Sequence, residues 1–278
     1  MMDVNEQTRQ MAAEQEQVRQ RVSRIKRRIL VLSGKGGVGK STVAANLAVA
    51  LATRGKKVGL LDVDIHGPSI PRILGLDGFS AELAAPQAPQ AGGQAGPSHD
   101  SALLQPVSAM ENLGVMSMGF LLENREAAVI WRGPMKYNVI KQFLKDVNWG
   151  DLDYLVVDSP PGTGDEPLSV AQLLGSPSHA VIVTTPQELS LSDVRRCITF
   201  CREVQISLLG IVENMSGFIC PHCGKSTDIF KTGGGQKLAE EMRISFLSRI
   251  PIEPRIVETS DTGISYLERF RETETAHA

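Results

Sequence analysis

The most restrictive feature of the chain is a nine-residue segment at residues 34–42, GKGGVGKST. It satisfies the pattern G-x-x-x-x-G-K-[ST], directly follows the β-branched run Ile29–Ser33 and opens the helix-length segment Gly39–Arg54. Glycines let the backbone N–H groups of such a loop turn inward, and the start of a helix adds a dipole that favours anions. The sequence therefore predicts a strand, a phosphate-binding loop and a helix in direct succession.

The rest of the chain continues this alternation of short apolar runs and amphipathic segments of helical length. Strands that are apolar on both faces and separated by helices are typical of a buried parallel sheet. We therefore predict an α/β fold with a doubly wound, mostly parallel sheet and flanking helices. The predicted strands are Ile29–Ser33, Val58–Asp62, Val115–Met118, Tyr154–Asp158, Ala180–Thr184, Leu208–Glu213 and Phe246–Ile250. The predicted helices are Gly39–Arg54, Pro134–Val147, Pro167–Leu174, Ser190–Gln205, Gly234–Met242 and a charged segment near Ile264–Thr273.

Composition excludes several classes of protein. Of the 278 residues, 42% are hydrophobic and 22% charged, so the chain can bury a substantial core. A formal net charge of −2 provides no general attraction for nucleic acid. No apolar stretch approaches the roughly 18 residues of a membrane helix, and the first residues do not resemble a secretory signal. With only four cysteines there is no disulfide scaffold, so we expect a cytoplasmic protein that binds neither nucleic acid nor membrane.

Two segments depart from the alternation. Residues 1–27 are polar and rich in Glu, Gln and Arg, which predicts a flexible or helical N-terminal extension, with a solvated tail favoured over a docking arm. Residues 81–101 are rich in Ala, Pro, Gln and Gly, which predicts a disordered surface insertion. Because the alternation resumes after the insertion, we assign residues 28–278 to one domain.

The residues of the loop have different expected roles. Lys40 is placed to reach the β- and γ-phosphates of a nucleotide, and Ser41 to ligate Mg²⁺. A second lysine, Lys35, would be redundant in an isolated loop of this kind. The predicted nucleotide-binding residues of the loop are Gly34, Lys35, Gly36, Gly37, Val38, Gly39, Lys40, Ser41 and Thr42.

Carboxylates stand at the ends of two predicted strands. Asp62 and Asp64 end the second strand, and Asp158 ends a later one. Strand ends line the ligand crevice of an open parallel sheet, so we expect these carboxylates beside the phosphate loop. The alternative is that Asp62 or Asp64 caps the helix that follows. Asn214 also ends a strand, where a turn asparagine is common.

The second chemical centre is a C-x-x-C turn formed by Cys220 and Cys223, in a predicted metal loop near residues 217–228. Such a turn directs two thiolates at one metal. A four-thiolate site needs two further ligands, which come either from Cys197 and Cys201 or from a second copy of the chain. Cys197 and Cys201 lie on the apolar stripe of a helix, which favours a core role for them. Four thiolates suit zinc and a 4Fe–4S cluster equally well, so the spacing leaves the metal open.

These motifs resemble those of known families. The GKGGVGKS segment is similar to that of the deviant Walker A ATPases, which include division-site and partition ATPases, the nitrogenase iron protein and iron–sulfur carriers. Segments at 62–71, 130–136, 158–165 and 213–217, together with Cys220 and Cys223, resemble more closely the Mrp/ApbC group of cluster-carrying P-loop ATPases. The likeness covers about residues 28–265, but the chain lacks the N-terminal four-cysteine motif of several members.

The resemblance implies a P-loop NTPase fold and a slow ATPase that uses ATP and Mg²⁺. Lys35 would reach the phosphates bound by a dimer partner, and Asp64 would orient or activate the attacking water. Asp62 and Asp158 would lie at the magnesium ion together with Ser41.

The resemblance also implies the cargo and the partners. Asn214 would hydrogen-bond the adenine, and Cys220 and Cys223 of two subunits would hold a 4Fe–4S cluster between them. The expected protein is a homodimer that works with a cluster-assembly scaffold and apo iron–sulfur proteins.

Two competing hypotheses belong to other functional classes. A positioning or partition-type ATPase with structural zinc at its dimer interface would carry a basic C-terminal helix or a basic surface, and the sequence has neither feature clearly. A small-molecule kinase would need neither Lys35 nor the cysteine turn.

Overall fold

A computed structural model of the protein describes residues 4–64, 67–80, 103–121, 133–220, 222–223 and 225–278. The insertion predicted at 81–101 lies outside the described residues. The strands are β1 (Ile25–Ser33), β2 (Val58–Asp62), β3 (Val107–Met110), β4 (Leu113–Ser117), β5 (Leu152–Asp158), β6 (His179–Thr184), β7 (Ser207–Glu213), β8 (Phe218–Ile219), β9 (Ser226–Thr227) and β10 (Phe246–Arg249). The helices are α1 (Val4–Ser23), α2 (Lys40–Thr53), α3 (Ile70–Ile73), α4 (Gly133–Lys145), α5 (Asp165–Leu174), α6 (Glu188–Glu203), α7 (Gly234–Met242), α8 (Pro254–Thr262), α9 (Tyr266–Arg269) and α10 (Glu274–His277).

A single large sheet organises the described residues, with eight strands in the order β10-β7-β6-β1-β5-β2-β4-β3. Every neighbouring pair in it is parallel except β3 and β4, which are antiparallel. The predicted doubly wound, mostly parallel α/β fold is therefore confirmed. The sequence did not predict β3, because this short edge strand is only half-buried and has no continuous apolar run.

The core lies around the central strands. Leu30 of β1, Val156 of β5 and Ile182 of β6 are completely buried. Helix α2 packs against β1, β2 and β5, and α6 packs against β1, β6 and β7. Since neighbouring strands here are parallel, the carboxyl ends of β1, β2 and β5 meet at one edge of the sheet, where the phosphate loop lies. In the described part of the chain, no helix combines the length and the apolar character needed to cross a membrane.

The N-terminal segment is more ordered than a solvated tail. Helix α1 leads directly into β1, which begins at Ile25 and not at the predicted Ile29. Val18 and Val22 are buried in the main core, and Lys141 of α4 donates to Glu14 at 2.5 Å. The expectation of a solvated tail is thus wrong for the second half of α1, because its few apolar residues recur at helical spacing and form one buried stripe.

Candidate nucleotide and metal site

The phosphate loop connects β1 to α2, and its shape depends on glycine. Gly39 precedes α2 with a φ of 84°, a left-handed conformation that glycine adopts at little cost. A Cβ atom on Gly39 would also lie 2.2 Å from Nδ2 of Asn214, so any larger residue would displace that side chain. Gly36 and Gly37 are exposed, while Val38 is buried beneath the loop. The backbone of the loop is therefore open to a ligand on one side and fixed on the other.

Lys40 and Asp158 form a buried ion pair where β5 ends. The Lys40 Nζ atom lies 2.5 Å from Oδ1 of Asp158 and 3.4 Å from Oγ of Ser41. Among the described residues, the buried Oδ2 atom of Asp158 has no hydrogen-bond partner. Burial raises the pKa of Asp158, although the Lys40 ammonium and the Ser41 hydroxyl oppose this shift. A buried and unsatisfied carboxylate oxygen beside a hydroxyl fits a hard cation such as Mg²⁺.

Asp62 is fully buried and lies in register with Asp158 on the neighbouring strand. Its Oδ1 accepts from the Asp64 N–H at 3.1 Å, and its Oδ2 accepts from the Ser117 hydroxyl at 3.0 Å and the Ile70 N–H at 3.4 Å. Burial and the charge of Asp158 raise the pKa of Asp62 to about 8. Both oxygens of Asp62 are thus occupied by donors from Asp64, Ile70 and Ser117, and the contact with Ile70 agrees with the alternative of a carboxylate that organises the following helix.

Asp64 and Lys35 are two partly accessible charged residues near the loop. The Oδ2 atom of Asp64 lies 4.0 Å from Nζ of Lys40, and its side chain is 18% exposed. A carboxylate in this position can contact a water molecule beside a phosphate held by Lys40. Lys35 is half-buried, and within the described residues its ammonium has no hydrogen bond or ion pair. Its charge therefore remains available to a ligand or to a second chain.

A mostly apolar cavity of about 250 Å³ opens beside the loop, and we call it the base cavity. Asn214 forms part of its wall and is fixed by two hydrogen bonds, from its Nδ2 to the Val38 carbonyl at 2.8 Å and from its N–H to the Thr184 carbonyl at 2.7 Å. An apolar cavity with one oriented amide suits a planar heterocycle. The residues that line the cavity include Gly39, Thr42, Asn214, Met215, Phe230, Ile252 and Tyr266.

The two cysteines of the turn lie on the segment between β7 and α7, residues 217–231, which we call the cysteine loop. Strands β8 and β9 pair within it, and the Cys220 N–H donates to the Lys225 carbonyl at 3.0 Å. Cys220 is half-buried and Cys223 is exposed. The backbone N–H groups of His222 and Cys223 lower the pKa of Cys220. Because the thiolate is the form that binds metals, this turn favours metal ligation.

The other two cysteines have a different environment. Cys197 and Cys201 are buried in α6, and burial raises the pKa of each thiol to about 12. The structure does not bring them together with the turn: among the described residues, no group of three or more His, Cys, Asp or Glu side chains could hold one metal ion. They act as small core residues, which is the role that their spacing favoured.

Comparison with known proteins identifies the family. A family model described as ParA, NUBPL iron-transfer P-loop NTPase, matches residues 24–278. The chain belongs to this family. The match includes the phosphate loop, both strand-end carboxylates of β2 and β5 and the cysteine loop.

Individual relatives of this iron-transfer P-loop NTPase are similar over most of their length. An iron–sulfur cluster carrier protein of Methanocaldococcus jannaschii is 48% identical over 258 residues, which cover 92% of this chain and 83% of that protein. A cytosolic Fe–S cluster assembly factor NUBP2 homolog of Trichoplax adhaerens is 49% identical, with 92% of each chain covered. A nucleotide-binding protein of Archaeoglobus fulgidus, solved with ADP and with cobalt found in it, is 42% identical with a TM-score of 0.75, and the match covers 90% of this chain and 91% of that one.

One residue of this P-loop NTPase was missed by reasoning from the sequence. Glu213, the last residue of β7, is completely buried and directly precedes Asn214 in the sequence. Its carboxylate accepts hydrogen bonds from the Ser216 hydroxyl at 2.5 Å, the Gly233 N–H at 2.8 Å and the Gly235 N–H. Arg249 of β10 adds an ion pair at 3.3 Å. Glu213 therefore fastens both ends of the cysteine loop to the sheet. The sequence signals for it were its place beside Asn214 at a strand end and its position in the segment 213–217 that resembles the Mrp/ApbC group.

Proposed function

We propose that this iron-transfer P-loop NTPase is an ATP-hydrolysing carrier that holds a 4Fe–4S cluster between two copies of the chain and transfers it to apo iron–sulfur proteins. The observation that carries the proposal is the Cys220 and Cys223 pair, which offers two accessible thiols to a metal. The loop that holds this pair also contributes part of the wall of the base cavity. The family description and the names of two relatives support it. A cluster-assembly scaffold would supply the cluster. A cytoplasmic location is supported by the name of the relative from Trichoplax adhaerens.

The nucleotide chemistry rests on five residues of each chain. Lys40 would exchange part of its ion pair with Asp158 for contacts to the β- and γ-phosphates, and Ser41 and Asp158 are the residues that would hold Mg²⁺. When bound, Mg²⁺ neutralises charge that develops on the phosphates. Asp64 orients the attacking water, and Asp62 supports it through the hydrogen bond to its N–H.

Two further contacts complete the proposed nucleotide site, and the first of them involves the second copy. Lys35, whose ammonium has no partner among the described residues, reaches the phosphates bound by that copy. This contact makes hydrolysis depend on dimerisation and keeps the activity of the isolated chain low. Asn214 hydrogen-bonds the adenine in the base cavity.

The metal chemistry also requires two chains. Each chain offers two accessible thiols at the turn, whereas a cluster of this type takes four thiolates. Cys197 and Cys201 are buried in α6 and do not complete the set. A two-fold axis that passes between two cysteine loops supplies the remaining pair.

The test is anaerobic reconstitution with iron and sulfide, followed by measurement of iron, sulfide, zinc and visible absorption per dimer. We expect about four irons and four sulfides per dimer, as for a thiolate-bound 4Fe–4S cluster. Cys220→Ser should lose the cluster. Cys197→Ala removes one buried thiol and should keep it, which makes it a matched control.

The same measurement distinguishes the main competitor. Tight zinc binding with no uptake of iron and sulfide would overturn the carrier proposal and favour a positioning or partition-type ATPase with structural zinc. Full cluster content in Cys220→Ser would equally refute the assignment of the turn.

A further inference from the structure

The cysteine loop is attached to the nucleotide site at two separate points. At the start of the loop, before the cysteines, Phe218 pairs with Ile252, and the Ile252 N–H donates to the Gly217 carbonyl at 2.8 Å. Ile252 is itself a wall residue of the base cavity. Cys220 follows Phe218 by two residues, so this attachment lies close to the first thiol.

The end of the loop, after the cysteines, forms part of the cavity wall itself. Phe230 lies seven residues after Cys223 and lines the base cavity, although it belongs to the cysteine loop. Its neighbour Ile229 is 52% exposed and is not part of the cavity wall. Phe230 is 37% exposed, so its ring has room to move when the cavity is filled.

The base of the loop is held in place by hydrogen bonds. The Ser216 and Thr232 hydroxyls lie 2.9 Å apart, and the buried Glu213 carboxylate binds Ser216 and the N–H of Gly233. A displacement of Phe230 is therefore taken up by the exposed part of the loop, which carries the cysteines. Coupling between two sites requires such an element that both sites contact and that has freedom to shift.

We propose that Phe230 is a positioning residue through which nucleotide in the base cavity changes the accessibility of the Cys220 and Cys223 thiols. The inference deepens the proposed function and rests on it, since it takes the cavity as the site of the base. A flat aromatic ring packs well against a heterocycle, and removing the ring leaves the P-loop contacts to the phosphates in place. Without the ring, nucleotide still binds, but it no longer changes the accessibility of the Cys220 and Cys223 thiols.

The test measures alkylation of single cysteines in the full-length, metal-free, reduced protein. Rates at Cys220 and Cys223 are followed with iodoacetamide and mass spectrometry, without nucleotide, with ADP and with a non-hydrolysable ATP analogue. Each variant is saturated according to its own measured nucleotide affinity. We expect nucleotide to change the wild-type rates about fivefold, at the lower end of usual coupling energies, and to leave the rates of Phe230→Ala unchanged.

Ile229→Ala is the matched control, because it shortens the adjacent loop residue outside the cavity wall. It should keep the wild-type response, and Phe230→Leu should keep part of it. The proposal is overturned by an unresponsive wild type, by a full response in Phe230→Ala, or by equal loss of response in Ile229→Ala. Loss of nucleotide binding in both Phe230 variants would also overturn it, since Phe230 would then be a binding residue.

The alkylation assay needs no cluster, so its outcome is separable from that of the reconstitution. If thiols respond to nucleotide but no cluster is taken up, the coupling stands and the carrier proposal fails. If a cluster forms and the thiols do not respond, the carrier proposal stands and the coupling fails.

Discussion

Replacement of Glu213 by glutamine tests the most heavily hydrogen-bonded carboxylate of the site. Glu213→Gln keeps the size of the side chain but turns one acceptor into a donor. If the amide nitrogen takes the place of Oε2, it faces the N–H of Gly235, which then loses its partner. Loss of one hydrogen bond to a charged group removes about 1.5 to 3 kcal/mol, and the unpaired buried donor adds to this cost. We therefore expect a loss of about 2 to 4 kcal/mol in the free energy of unfolding.

Urea denaturation followed by circular dichroism measures this loss. The midpoint should fall while the slope stays constant, since the surface exposed on unfolding does not change. Glu258→Gln is the control, because Glu258 is exposed on α8 and its replacement should change stability by less than about 0.5 kcal/mol. A loss below about 1 kcal/mol for Glu213→Gln would refute the view that this carboxylate fastens the loop.

Four further predictions concern other parts of the molecule. Near neutral pH, iodoacetamide should label Cys220 much faster than Cys197 and Cys201, whose pKa is raised to about 12; equal rates in the folded protein would contradict the assigned environments. Val22→Ala should cost about 1.5 to 2 kcal/mol in urea denaturation, whereas Met11→Ala on the exposed side of α1 should cost almost nothing; equal effects would mean that α1 is not docked. Asp64→Asn should lower ATP hydrolysis about 100-fold with little change in nucleotide affinity, and an unchanged rate would remove Asp64 from the proposed chemistry. In metal-free protein, the raised pKa of Asp62, about 8, keeps its carboxyl protonated in the folded state while the unfolded chain ionises above about pH 4. The free energy of unfolding should therefore fall as pH rises from about 4 to about 8, and Asp62→Asn should flatten this dependence. If the variant keeps the wild-type dependence of stability on pH, burial of the Asp62 carboxyl is not its cause.

The arrangement of the phosphate site could be predicted because it depends on the order in which a few elements follow one another along the chain. A strand, the glycine-rich loop and a helix follow one another in the sequence, and parallel strands bring their ends together. The meeting of Lys40 with Asp158 at 2.5 Å follows from these two facts, although 118 positions separate the residues. The pairing of β2 with β5, which places Asp62 opposite Asp158, was not predicted, because the order of successive elements does not determine which strands are neighbours in the sheet.

Other contacts could not be predicted because they depend on the exact course of loops. Asp62 has both oxygens occupied by Asp64, Ser117 and Ile70, and no spacing rule indicates which of these N–H and hydroxyl groups approach it. Residues 1–27 have a polar average composition, so the docking of α1 depends on only a few apolar side chains. In each case the tertiary environment decides the outcome, and local pattern does not.

The closure of the cysteine loop at its base makes that loop a replaceable module. Its flanking residues Ser216 and Thr232 are joined by a hydrogen bond, and the buried Glu213 binds both sides of the base, so these contacts hold the ends of β7 and α7 together without any residue of the loop. Closing such a loop costs little more when it is lengthened, since the entropy grows only with the logarithm of its length. A nucleotide-binding sheet of this kind can therefore gain, lose or exchange a metal-binding turn by insertion at one place, without any change to its core.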